Sequence, residues 1–152
     1  MHFVKESIFP VAAEKLWAFH ERPDAFALLT PPWQKTEILQ PPRSLEVGTK
    51  VFVRVKAGPI PFWQTVEAEH VAYEKGRMFA DRMNKGPFAK WLHRHLISPV
   101  SEHESRLVDD IDYELPLGPL GRLFGAGIAE HELEKLFSYR HEITRKTLLE
   151  MA

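Results

Sequence analysis

No cysteine occurs in this chain. Disulfide frameworks, thiolate catalysis and cysteine-type zinc sites are therefore excluded. An excess of charge is also missing: 20 Lys and Arg stand against 21 Asp and Glu, a formal net charge of -1. The chain thus lacks the basic footprint that nucleic acid or an anionic membrane surface would need. No apolar run reaches membrane-spanning length. The first residues, Met1-His2-Phe3-Val4-Lys5-Glu6, meet charge at once instead of an apolar leader segment. The expectation is a cytoplasmic protein with no nucleic-acid partner and no stable membrane insertion.

Apolar and ring-bearing residues are plentiful. Hydrophobic residues make up 44% of 152 positions, with 10 Phe, 4 Trp and 3 Tyr. That length and composition suit one domain, 1–152, with a sizeable core. Residues 2 to 8 read as a short strand. Val11 to His20 reads as a first helix, and Pro23 opens a second short one that Thr30-Pro31-Pro32 ends. Trp33 to Leu39 is a strand. Lys50 to Lys56 alternates, with Val51, Val53 and Val55 on one side, as a half-buried strand does. Further strands are expected at Phe62 to Tyr73, Arg77 to Met83, Phe88 to Ile97 and Arg106 to Leu115. After Pro116-Leu117-Gly118-Pro119 a long helix runs from Leu120 to about Lys146. Its buried side is expected to carry Leu120, Leu123, Phe124, Gly127, His131, Leu136, Phe137, Arg140 and Ile143. Consecutive strands with short turns imply an antiparallel meander. A curved sheet of this kind can wrap one long helix and leave a cavity between them.

Several local signatures sit on this framework: Phe19-His20, Leu29-Thr30-Pro31-Pro32, Trp63, the run Asp81 to His95 with Gly86-Pro87-Phe88, Asp109 to Pro116, and Leu136-Phe137-Ser138-Tyr139-Arg140. In these the chain resembles the SRPBCC superfamily of START and birch-pollen-allergen-like proteins, and within it a bacterial cyclase/dehydrase-like group. The resemblance implies an α+β helix-grip fold: a curved antiparallel sheet of about seven strands around a long C-terminal helix, with two short helices after the first strand. It implies an internal pocket for a small hydrophobic molecule, with Pro31-Pro32 and the loop from Arg43 to Gly48 at its mouth. It fixes no single reaction, since some members are polyketide aromatases or cyclases. It also allows a homodimer, or an accessory role beside an epimerase-like protein partner.

The strand from Arg106 to Leu115 identifies the inward face. Val108, Asp110, Asp112 and Glu114 must be solvated, so Leu107, Asp109, Ile111, Tyr113 and Leu115 face the cavity. On the preceding strands Trp91, His93 and His95 form one set, and Phe79, Asp81 and Met83 another. Asp109 is then a carboxylate among apolar neighbours, which needs partners. A carboxylate beside a histidine can fix its tautomer and raise its basicity. Asp109, His93, His95 and Tyr113 are therefore the candidate catalytic group. The simpler reading, a satisfied hydrogen-bond network that locks the sheet, takes precedence because such networks are common. The expected ligand-binding residues are Trp63, Phe79, Asp81, Trp91, His93, His95, Leu107, Asp109, Ile111, Tyr113, Phe124 and His131. His93 and His95 with Asp109 or Asp81 could form a two-histidine, one-carboxylate metal set. Spacing fixes no further ligand, so no metal and no cofactor are expected. Arg140 is expected to pair with an acid on the sheet. Gly121, Gly125 and Gly127 serve either close packing or a loosened helix end. The functional expectation is binding of a lipid, polyketide-like or isoprenoid molecule; the alternative is a cyclase, dehydratase or aromatase.

Overall fold

A computed structural model describes residues 1–56 and 58–151. The strands are β1 (His2–Phe9), β2 (Lys35–Gln40), β3 (Lys50–Lys56), β4 (Gln64–Glu74), β5 (Met78–Lys85), β6 (Lys90–Pro99) and β7 (Ser105–Glu114). The helices are α1 (Ala13–Glu21), α2 (Ala25–Leu28) and α3 (Gly118–Glu150). All strands pair antiparallel in one sheet of order β1-β7-β6-β5-β4-β3-β2. The meander expected from short turns is present, and β1 closes it by pairing with β7. Register shifts in β4, between Glu67 and Ala68 and between His70 and Ala72, add residues to one strand of the ladder. Such irregularities bend a strand and increase sheet curvature. This is the α+β helix-grip arrangement. Among the described residues no helix is long and apolar enough to cross a membrane.

Alternation sets the inner face. In β7 Ser105, Leu107, Asp109, Ile111 and Tyr113 are buried, while Arg106, Asp112 and Glu114 are exposed. In β3 the three valines turn inward. Three apolar clusters result. Phe9, Leu16, Trp17, Phe79, Leu107 and Leu148 belong to the first, and Phe3, Ile111, Tyr113, Leu133 and Phe137 form the second. Val51, Val53 and Val55, with Phe26, Val66 and Ala68 against them, form the third.

The buried stripe of α3 is Leu133, Phe137, His141, Thr144 and Leu148. This corrects the expected face. Leu120, Leu123 and Phe124 are 63%, 73% and 74% exposed, and His131 is exposed as well. The reason is geometric: the front half of α3 runs past the sheet, and only its rear half is gripped. Leu117 enters the helix with a left-handed φ of 68°. At Gly121 a Cβ would lie 1.8 Å from the Pro116 carbonyl oxygen, so the chain can cross itself there only through glycine. At Gly127 a Cβ would meet nothing.

Candidate functional site

Two neighbouring rows of the sheet carry the polar groups. Across the strands His70 faces Asp81, Asp81 faces His93, and His93 faces Ile111. One row over, Phe79 faces His95 and His95 faces Asp109. Directly opposed residues in an antiparallel pair share a face, so register alone gathers Asp81, His93, His95 and Asp109. Trp91 lies on the same face, two residues before His93.

Asp109 is the centre. Its Oδ1 accepts a hydrogen bond from His93 Nε2 at 2.7 Å and lies 3.0 Å from His95 Nδ1. Its Oδ2 is 2.6 Å from Nε2 of His141, which reaches in from α3. The other ring nitrogen of His141 lies 2.7 Å from Ser7 Oγ on β1. Burial works to raise the Asp109 carboxyl, but the contacts from His141, His93 and His95 outweigh it and hold it well below the usual carboxylate range. A second carboxylate, Asp81, sits with Oδ2 3.1 Å from His95 Nε2 and 3.7 Å from His93 Nδ1. Burial again opposes ionisation there, and the His95 hydrogen bond with the His93 charge prevails and lowers it. His95 bridges the two acids. Burial pulls it down, yet Asp109 and Asp81 together raise it above an ordinary histidine. His93 is lowered by burial and by the neighbouring His95, against the pull of Asp109. Its ring centroid lies 3.7 Å from that of His95, and the His95 ring stacks on Phe79 at 4.0 Å.

A cavity of about 540 Å³ opens beside this group. Among the expected ligand-binding residues Phe79, Asp81, Trp91, His93 and His95 line it. Asp109 lies behind the two histidines, outside the lining. Leu107 and Ile111, at 2% and 0% exposure, are core. Tyr113 packs in the second cluster against Phe88, and burial raises its hydroxyl. These three face inward as expected but are covered, Leu107 by the cluster that holds Leu16 and Trp17 of α1, and Ile111 and Tyr113 by the cluster that holds Leu133 and Phe137 of α3. Trp63 is displaced to the outer side, where Arg54 and Lys56 lie 4.9 and 5.3 Å from its ring. It has the opposite parity to Val66, Ala68 and His70, which line the cavity, so alternation carried back from β4 turns it outward. Phe124 lies on the exposed front of α3, and His131 sits on the outer side of the helix beside Glu132 and Leu133, which line the cavity.

Three supporting groups, His141, His20 and His70, were not among the expected site residues, and Arg140, expected on the buried side of the long helix, joins the lining. His141 supports Asp109 from α3. His20 donates from Nδ1 to the Leu16 carbonyl at 2.8 Å, and burial lowers its pKa to about 4. His70 is lowered by burial, and its Nδ1 is buried without a hydrogen-bond partner among the described residues. Arg140 lines the cavity from α3. The remaining wall is largely apolar, with Val51, Val53 and Val55 on one side and Leu133 and Leu136 on the other, and carries Arg22, Gln34, Lys56, Glu132 and Lys135 among its polar groups. Asp81, His93 and His95 offer one ligand atom each within 4.8 Å of one another and are a group that could hold a cation. His2, Asp110 and Asp112 form a second such group on the outer face.

Chemically, the cavity presents an apolar enclosure with one titratable edge. His95 Nε2 and Asp81 Oδ2 are the pair able to exchange a proton with a bound molecule, while Asp109 fixes both rings from behind.

Comparison with known proteins agrees with this architecture. No curated protein sequence matches the chain. A norcoclaurine synthase point mutant from Thalictrum flavum, in complex with a transition-state analogue, is similar in structure with a TM-score of 0.76. Identity is 16%, over 99% of this chain and 95% of that one. A START superfamily protein from Mycobacterium smegmatis matches with a TM-score of 0.69 at 13% identity, covering 99% of both chains. A nucleoside-diphosphate sugar epimerase from Corynebacterium glutamicum matches with a TM-score of 0.69 at 20% identity. That match covers 96% of this chain and 29% of the epimerase. At these identities the likeness is one of fold. Residues 9–137 match the family model described as polyketide cyclase / dehydrase and lipid transport, and the chain belongs to that family.

Proposed function

We propose that this chain, as one domain, binds a small hydrophobic or aromatic molecule of lipid, polyketide-like or isoprenoid type between the sheet and α3. The observation that carries this reading is the cavity of about 540 Å³ with a largely apolar wall and a single polar edge. Small-molecule sites are concave, mostly apolar and few in polar groups, within roughly 300–1,000 Å³. Family membership supports the same reading. Native mass spectrometry of freshly purified protein, with extraction of any retained compound, tests it. Titration with the neutral fluorophore 1-aminoanthracene accompanies it. An apolar adduct, or saturable uptake of the probe, supports the reading. No adduct and no probe uptake overturns it.

A second reading is supported by one specific observation, the 3.1 Å contact of Asp81 with His95 at the cavity wall. An enzyme of cyclase, dehydratase or aromatase type would use this pair for general acid–base work. In that case Asp81→Asn lowers turnover of the extracted compound by about 10²-fold or more while binding persists. Under the carrier reading the same change leaves the compound chemically unaltered in both proteins.

A further inference from the structure

Among the described residues Arg140 has no acidic partner. Its Nε donates to the Leu29 carbonyl at 3.3 Å, and its guanidinium carbon lies 5.2 Å from the centroid of the Phe137 ring. Among the described residues no carboxylate comes within 4.0 Å of it. The two buried acids of the sheet are occupied instead by histidines. Of the other cations lining the cavity, Arg22 alone has a carboxylate partner among the described residues, and Lys56 and Lys135, like Arg140, lie near aromatic rings. Arg22 pairs with Asp24 at 2.7 Å, and Lys135 sits 4.6 Å over the Trp33 ring. The Arg140 terminal nitrogens are not sealed in protein, and the side chain contributes to the cavity lining.

A cation held in an apolar enclosure without a counter-charge is costly. The surroundings of Arg140 make ionisation harder, burial being the dominant influence. Lining the same enclosure are Val51, Val53 and Val55. A guanidinium matches a carboxylate in a planar, bidentate fashion, which a lysine cannot reproduce. Glu132 is the one acid on the α3 part of the lining, and it makes no ion pair with Arg140.

We propose that Arg140 is the anchor for an anionic group on the ligand, so that the cavity takes apolar acids, a carboxylate carried on an alkyl or aromatic body. This rests on the cavity-binding reading above. The acid would supply at contact the counter-charge that Asp109 and Asp81 supply only from a distance, and its apolar body would lie along the valine wall.

Displacement of 1-aminoanthracene tests this with two matched pairs of competitors at neutral pH: dodecanoate against 1-dodecanol, and 2-naphthoate against 2-naphthalenemethanol. The expected result is a preference of about 10-fold or more for the acid in at least one pair. Arg140→Gln removes that preference without weakening the alcohols. Arg140→Lys restores it only in part. Lys146→Gln, exposed on α3 and outside the cavity lining, leaves it unchanged. Circular dichroism and binding of the alcohols show that each variant is folded. Equal affinity for acid and alcohol in both pairs overturns the proposal. So does a preference that survives Arg140→Gln. If the fluorophore itself does not bind, the cavity-binding reading fails first, which is a separate outcome.

Discussion

His141 Nε2 lies 2.6 Å from Asp109 Oδ2, so one buried polar contact pins the C-terminal helix to β7. The same imidazole reaches Ser7 of β1. The helix, the edge strand β1 and its neighbour β7 therefore meet at a single side chain.

Asp109 is accordingly expected to matter for stability before it matters for chemistry. Asp109→Asn replaces an acceptor of three ring contacts by an amide with its own N–H groups. Removing one member of a buried ionic network costs about 3–5 kcal/mol. Urea unfolding of the variant should show a loss of that order. A loss under about 1 kcal/mol, within the ordinary range for a point substitution, would contradict this reading.

His20 predicts a pH dependence. Its folded pKa, about 4, lies below the unfolded value of about 6.5. Between these values the unfolded chain binds the extra proton, so stability falls as pH drops from about 6.5 to about 4. Taken alone the group contributes up to about 3 kcal/mol across that window. His70 and His93, also lowered, act in the same sense, whereas His95, which is raised, opposes them. Chemical unfolding at several pH values, in the native chain and in His20→Gln, measures the difference. The variant should show the shallower slope. An unchanged slope would place His20 outside the linkage.

The glycines of α3 separate by position. Gly121→Ala drives a Cβ to within 1.8 Å of the Pro116 oxygen, which is backbone and cannot swing aside. Gly127→Ala meets nothing and exchanges a poor helix former for the best one. Thermal melts should show Gly121→Ala destabilised. Gly127→Ala should be neutral or stabilised by up to about 1 kcal/mol. Equal effects at the two sites would mean that the helix start relaxes freely.

Strand content was legible because period-two alternation is strong where one face is buried and the other wet. Lys50–Lys56 emerges with the boundaries that alternation suggests. The inward face of β7 follows from the need to solvate Asp112 and Glu114. Helix α3 was harder to read. Its front half is rich in Leu, Phe and Gly and looks buried by composition, yet no sheet lies beneath it. Its rear half buries a histidine inside the polar run Arg140-His141-Glu142, where apolar periodicity carries no signal. Counting forward four residues from Phe137, or back three from Thr144 and seven from Leu148, would have found it. His70 had a signal as well, since Val66, Ala68 and His70 alternate. Arg140 was correctly placed on a packed part of the helix, but its expected acid is taken by histidines, which only tertiary register reveals.

The pairing of β1 with β7 has a consequence for the order in which the chain assembles. His2 meets Asp112 and Phe9 meets Ser105, so the first strand to leave the ribosome waits for the last. Until then Ser7 has no imidazole to meet, and neither side of the cavity is closed. Local hairpins from β2 to β6 can form early, whereas loop-closure entropy delays this final pairing. Acquisition of a ligand-competent cavity should therefore coincide with the slowest folding event rather than precede it.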